Sequence, residues 1–139
     1  MTAAAPSGAA ALAVRPGEEP WTDDELHEVR DKLATEAAEL RADIERAETD
    51  IASRLTDATG DAGDDQADQG AKTFEREQEL ALTHNARELL AQTEHALARI
   101  AAGTYGTCES CGEPIGKARL QAFPRAVLCV ACKQREERR

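Results

Sequence analysis

Aromatic residues are scarce: one Trp, one Tyr and two Phe account for 3% of the 139-residue chain. A thick globular core is thereby excluded, because large rings supply much of the area such cores bury. No apolar run approaches the roughly 20 residues of a membrane span, so no membrane-crossing element is expected. Cysteine does not occur before Cys108, which speaks against a disulfide scaffold spread along the chain. Positive charge is missing from "GDAGDDQADQG", Gly60 to Gly70, where four aspartates and three glycines crowd together. The N-terminal "MTAAAPSGAAALAVRPGEEP" has no basic residue ahead of its alanines, so a cleaved signal peptide is not expected. Residues 1–20 read as a disordered, flexible tail and the protein as cytoplasmic.

What is present is mostly charge and alanine. Asp, Glu, Lys and Arg make up 32% of the residues, and the net charge is -10. Residues 22–60 carry -7 and residues 61–70 carry -4, whereas residues 103–139 carry +3. An acidic chain repels nucleic acid unless a basic patch overcomes it, so direct sequence-specific DNA binding is not expected. Basic protein surfaces and cations are the more natural partners.

"PWTDDELHEV" has the grammar of a helix start. Thr22 caps the first free amides, Glu25 bonds back to the cap, and Trp21 and Leu26 stand at the positions of a hydrophobic staple. Asp23 and Asp24 complement the positive end of the helix dipole. From there Leu26, Val29, Leu33, Ala37, Leu40, Ile44, Ala47, Ile51, Leu55 and Ala58 recur every three or four residues, with no Gly or Pro before Gly60. The pattern predicts one helix of about 37 residues, roughly 55 Å long, with a narrow apolar stripe. A second pattern, Ala71, Phe74, Leu82, Ala86, Leu89, Leu90, Leu97 and Ile100, begins after Gly70 and stops at Gly103. It predicts a helix of about 32 residues, roughly 48 Å long. Two narrow-striped helices of matched length bury their stripes by folding back on each other. The expected fold is therefore mainly α: a long antiparallel two-helix coiled-coil hairpin over residues 21–102, with an acidic tip at 60–70.

The strongest signal is "CESCGEPIGKARLQAFPRAVLCVAC". Cys108 and Cys111 form one C-x2-C and Cys129 and Cys132 another, with 17 residues between the pairs. That spacing lets four thiolates surround one ion tetrahedrally and leaves no open coordination position, the arrangement of a structural zinc. Iron shares this donor set. The metal also answers a folding difficulty, because residues 103–139 hold too few large apolar side chains for a core of their own. A small C4 zinc-ribbon-like module is expected over 103–139, with "KQREERR" as a short C-terminal helix.

With these residues in place, "YGTCESCGEPIGKARLQAFPRAVLCVACK" behind a helical hairpin resembles the DksA/TraR family of bacterial RNA polymerase-binding transcription regulators. The resemblance covers about residues 22–139. It implies a partner, RNA polymerase, whose secondary channel the hairpin enters tip first while the zinc module stays at the rim. The family's tip motif Asp-x-x-Asp-x-Ala is met by "DQADQG" at Asp65 and Asp68, with Gly70 in place of the alanine. These three residues are the expected partner-binding tip, and the glycine leaves the strength and sign of regulation open. Family members that respond to ppGpp use basic residues where this chain has Asn85, Gln92 and Phe123, and only Lys133 is kept. Loss of that charge weakens recognition of a polyanion, so ppGpp independence is expected.

Other readings of the tip are a solvated turn, for which Asp and Gly are simply good residues, and a calcium loop beginning at Asp64. The calcium loop fails because Gln69 occupies its required glycine position and Gln66 is a poor ligand. No nucleophile and base are spaced for catalysis, and His27, His84 and His95 show no metal-ligand pattern. The expected function is a monomeric, non-enzymatic regulator of transcription initiation. Gre-like stimulation of transcript cleavage and a zinc-stabilised adaptor unrelated to polymerase are the alternatives.

Overall fold

The structure, a computed structural model, describes residues 8–58 and 66–138, with side chains over 8–54 and 69–138. A 3-10 turn at Gly8–Ala11 precedes four helices: α1 (Asp23–Ala58), α2 (Gln66–Ala102), α3 (Lys117–Ala122) and α4 (Val130–Glu137). Among the described residues, extended pairing is limited to one bridge between Thr107 and Pro114.

The start of α1 is fixed by a reciprocal capping box. The Glu25 amide donates to Thr22 Oγ1 at 3.1 Å and the Thr22 amide donates to Glu25 Oε1 at 3.0 Å, satisfying two otherwise free donors. Trp21 and Leu26, on either side of the cap, are both buried in the same apolar cluster. At the other end of the second long helix, the amides of Gly103 and Thr104 donate to the carbonyls of Ile100 and Arg99 at 3.2 and 3.0 Å. That Schellman pattern requires a left-handed residue, and Gly103 takes φ 77° at no Cβ cost.

The beginning of α2 departs from the sequence expectation. The helix starts at Gln66, so Asp68 and Gly70 lie in its first turns instead of in a loop reaching to residue 70. Gln and Ala favour helix, and Asp68 sits near the positive end of the helix dipole. Those preferences outweigh one glycine, which costs about 1 kcal/mol. Gly60, Asp61, Gly63, Asp64 and Asp65 fall outside the described residues. A Cβ built on Gly70 meets nothing within 4 Å. Gly70→Ala is therefore expected to raise stability by about 0.5–1 kcal/mol, read as a higher urea midpoint at unchanged slope.

The chain divides into two compact units, Met1–Thr35 with Gln92–Arg139, and Glu36–Ala91. In the second unit α1 and α2 run antiparallel: Glu48 pairs with Arg87 and Arg54 with Glu79, so a step forward along α1 is a step back along α2. The α2 seam here is not the predicted one. Phe74 and Leu82 are 64% and 66% exposed, while Thr83 is buried. Thr83 hides its hydroxyl by donating to the Glu79 carbonyl at 2.8 Å, which lets a polar residue occupy an apolar position.

The first unit holds the main core. Leu26, Val29 and Leu33 from α1 cluster with Ala96 from α2 and with Tyr105, Ile115 and Leu120 from the C-terminal module. Residues from Gly8 onward belong to this core, so the expected tail of residues 1–20 is a packed strap over that stretch: Ala9 and Leu12 are 1% and 5% exposed. A Cβ on Gly106 would lie 3.1 Å from the Ala13 carbonyl oxygen, so the strap needs that glycine to approach.

The Glu18 carboxylate fastens the strap, accepting from the amides of Arg15, Lys117 and Ala118 at 2.8, 3.0 and 3.1 Å. The Lys117 amide, chiefly, holds the Glu18 carboxyl below its ordinary value. Lys117 Nζ meets Glu25 Oε1 at 2.6 Å, and that contact, with the cap bonds, draws Glu25 down to about 2. Both carboxyls are depressed, so the stability they contribute is present above the unfolded value near 4.5 and is lost as pH falls toward about 2. Thermal melts across that window are expected to show a steeper decline for wild type than for Glu25→Gln.

Candidate metal centre

Two tight knuckles bring the cysteines together. The first is closed by the Gly112 amide donating to the Cys108 carbonyl at 3.0 Å and the Cys108 amide donating to the Glu113 carbonyl at 2.8 Å. The second opens α4: Cys129 is its N-cap, with the Lys133 amide donating to the Cys129 carbonyl at 2.9 Å. The Glu109 amide donates to the Val127 carbonyl at 2.9 Å and ties the knuckles side by side.

The four Sγ atoms of Cys108, Cys111, Cys129 and Cys132 lie within 4.8 Å of one another, and Cys111 and Cys129 are 3.7 Å apart. A tetrahedron with Zn–S bonds of about 2.3 Å has edges of about 3.8 Å, so the set fits one zinc ion with four thiolates. Cys108 and Cys132 are buried and Cys111 is exposed. Burial opposes ionisation of Cys108, yet amides of Cys111, Cys129 and Ser110 directed at its sulfur bring it down to about 6. At Cys111 the Glu113 amide favours the thiolate, but partial loss of hydration and the three neighbouring sulfurs prevail and push it up to about 12. One thiolate thus forms readily and discourages the others. A divalent cation removes that conflict by compensating all four.

The surroundings support the sulfurs as well. Arg135 Nη2 donates to Cys132 Sγ at 3.1 Å, a charge-assisted bond that sequence spacing did not reveal. Arg119 Nε donates to the Leu128 carbonyl at 3.4 Å, holding the turn ahead of Cys129. Tyr105, buried behind the first knuckle, donates its hydroxyl to the Pro124 carbonyl at 2.8 Å. No position in this set is open to substrate, because four thiolates complete the tetrahedron. The chemistry it performs is structural.

Of the expected tip residues, Asp65 lies outside the described residues, while the backbone of Asp68 and of Gly70 lies at the start of α2. The histidines pair with nearby carboxylates, His27 with Asp31, His84 with Glu88 and His95 with Glu109, and join no metal cluster among the described residues.

The prokaryotic dksA/traR C4-type zinc finger model matches residues 103–138, the span of this module. Across 127 residues the chain is 36% identical to the RNA polymerase-binding transcription factor DksA of Caulobacter vibrioides, covering 90% of this chain and 86% of that protein. It belongs to the DksA/TraR family. The protein of the same name from Escherichia coli K12 is 32% identical over 119 residues, covering 86% of this chain and 76% of its own length. Among solved structures, the transcription factor DksA2 from Pseudomonas aeruginosa aligns with a TM-score of 0.66 at 34% identity, covering 84% of this chain and 85% of that one. In this DksA/TraR member both zinc knuckles fall within the residues that the family model matches.

Proposed function

We propose that this DksA/TraR-family protein binds RNA polymerase and regulates transcription initiation, acting as a transcription factor and not as an enzyme. The observation that carries the reading is the 36% identity over 90% of the chain to a protein named as an RNA polymerase-binding transcription factor. Residues 21–102 form the polymerase-directed hairpin, and residues 103–139 form the zinc module that anchors its base together with the strap. Cys108, Cys111, Cys129 and Cys132 hold one structural zinc.

Asp65, Asp68 and Gly70 form the acting tip. Carboxylates delivered on a stalk can compete electrostatically near a metal-centred active site without performing chemistry themselves. The protein works as a monomer in the cytoplasm and makes no direct sequence-specific DNA contact, in keeping with a net charge of -10. It acts independently of ppGpp. Phe123 is exposed and Asn85 and Gln92 are neutral, leaving Lys133 as the retained cation of that set.

The test adds purified protein to polymerase holoenzyme in initiation and stalled-transcript assays, with Asp65→Asn/Asp68→Asn beside wild type. The double variant is expected to bind polymerase as wild type does and to lose at least tenfold of the effect on initiation. Stimulated transcript cleavage would replace the reading with a Gre-like one. Failure of wild type to bind polymerase would overturn it.

A further inference from the structure

The metal centre is unevenly covered. Cys108 and Cys132 belong to the buried core cluster, whereas Cys111 is exposed and Cys129 is half-buried. The Sγ atoms of Cys111 and Cys129, 3.7 Å apart, form the edge of the donor set that is open to water. Both residues line a cleft of about 740 Å³, and Arg15 and Pro16 of the N-terminal strap form part of its wall, with Arg135 of α4. A ligand that takes the ion away has to approach this edge, because packed side chains back the other two sulfurs.

The strap also holds the loop that carries the edge. Cys108 and Cys111 lie in a short hairpin, closed at its base by the Ile115 amide donating to the Gly106 carbonyl at 2.8 Å and by the Thr107–Pro114 bridge. Strap residues press on both sides of that base: a Cβ on Gly106 would lie 3.1 Å from the Ala13 carbonyl oxygen, and one on Gly116 would lie 3.1 Å from Arg15 Cδ. Leu12 anchors the strap in the core ahead of these contacts, and the Glu18 carboxylate fastens it beyond them through the amides of Lys117 and Ala118. Ligand exchange at a closed four-coordinate centre needs room for an incoming donor and movement of an outgoing thiolate, and the strap restricts both. Yet the strap is lightly held. Ala9 and Leu12 are its buried apolar residues, with Val14 packed beside them, so it can lift by local opening while the helices stay folded.

We propose that the N-terminal strap is a latch on the metal centre: zinc exchange at the Cys111–Cys129 edge proceeds only after residues 12–18 lift, so their attachment sets how long the ion is retained. Arg15, Pro16 and Glu18 are positioning residues in this scheme, acting through the hairpin and the cleft and not as ligands. The inference rests on the four cysteines holding one zinc, and it is independent of the identity of the protein's partner.

The experiment follows zinc transfer from the full-length, zinc-loaded protein to a coloured chelator at neutral pH, after metal analysis has established one zinc per chain. The freed thiolates take protons from the buffer as the ion passes to the chelator. In wild type the rate is expected to level off as chelator concentration rises, because lifting of the strap becomes limiting. Glu18→Ala removes the carboxylate that holds two amides and is expected to raise that plateau about tenfold. Leu12→Ser/Glu18→Ala is expected to raise it further, with far-ultraviolet circular dichroism and one zinc per chain retained. Thr22→Ala, which removes the cap of α1 and leaves the strap's own bonds in place, is expected to change the rate less than about twofold. Hydrogen exchange at the Lys117 and Ala118 amides should quicken in step with zinc transfer. A wild-type transfer rate in the double variant would overturn the inference, and so would a wild-type rate in Glu18→Ala alongside faster exchange at Lys117 and Ala118. An equal acceleration in Thr22→Ala, or a wild-type rate that stays proportional to chelator, would do the same while leaving the zinc site intact. Absence of zinc from the purified protein would overturn the metal assignment and the latch together.

Discussion

Removal of zinc with a strong chelator, or Cys108→Ser, is expected to unfold the C-terminal module and to loosen the core of the hairpin base with it. The three fully buried large side chains of the module, Tyr105, Ile115 and Leu120, share one cluster with Trp21, Leu26 and Leu33, so they cannot be released without exposing those partners. Structural zinc in comparable peptides contributes about 10–16 kcal/mol of apparent binding at neutral pH, as large as the whole stability of an ordinary domain. Nothing else in the module can replace it. Without the cation the four sulfurs revert to competing acids, with Cys108 drawn to about 6 and Cys111 pushed to about 12. Metal-free protein should lose the near-ultraviolet dichroism of Trp21 and Tyr105 while much of its helical ellipticity persists, and one zinc per chain should restore it. An unchanged near-ultraviolet spectrum after complete metal loss would contradict this.

Trp21→Ala is the second large effect, with an expected loss of about 3–5 kcal/mol. The indole is 2% exposed, lies 6.1 Å from the Tyr105 ring between centroids, and carries Lys117 Nζ 5.8 Å over its face. Its Nε1 finds no hydrogen-bond partner among the described residues, so its contribution comes from packing. Truncation leaves a cavity bounded by elements from three parts of the chain, and little can collapse to fill it. Trp21 also pins Lys117, whose ammonium reaches Glu25 and the Pro20 carbonyl. Chemical denaturation should therefore show a lower midpoint for Trp21→Ala and reduced coupling between strap and module, read as faster hydrogen exchange at Lys117 and Ala118, whose amides Glu18 holds.

Much of this architecture is legible before any coordinates. Thr22 and Glu25 announce the start of α1 because a capping box is a local matter, settled within four residues. Gly103 announces the end of α2 for the same reason. The paired C-x2-C units disclose the metal because short loops leave the thiolates little choice of direction. The misses have equally definite causes. Gly70 reads as a helix boundary, yet a single glycine is tolerated where its neighbours favour helix. Thr83 escapes a hydrophobic pattern because its hydroxyl is satisfied by its own helix, and Phe74 and Leu82 mislead the pattern by being exposed. Helix α3, six residues long, is too short to display a period.

The strap is the clearest case of information that is not local. Ala9 and Leu12 sit in an alanine-rich stretch that looks like a tail, yet they join the main core, and Gly106, Lys117 and Ala118, roughly a hundred residues away, hold the rest of the strap through Ala13 and Glu18. The sequence by itself determined the long helices, their caps, the zinc donors and the concentration of acidic charge in the middle of the chain. Each of these follows from interactions between residues close along the backbone, or from composition. Tertiary structure decided which apolar residues are covered, which carboxylates become strong acceptors and where Leu82 is left facing water. Those outcomes depend on surfaces meeting across long stretches of chain, and periodicity carries no record of what lies on the other side.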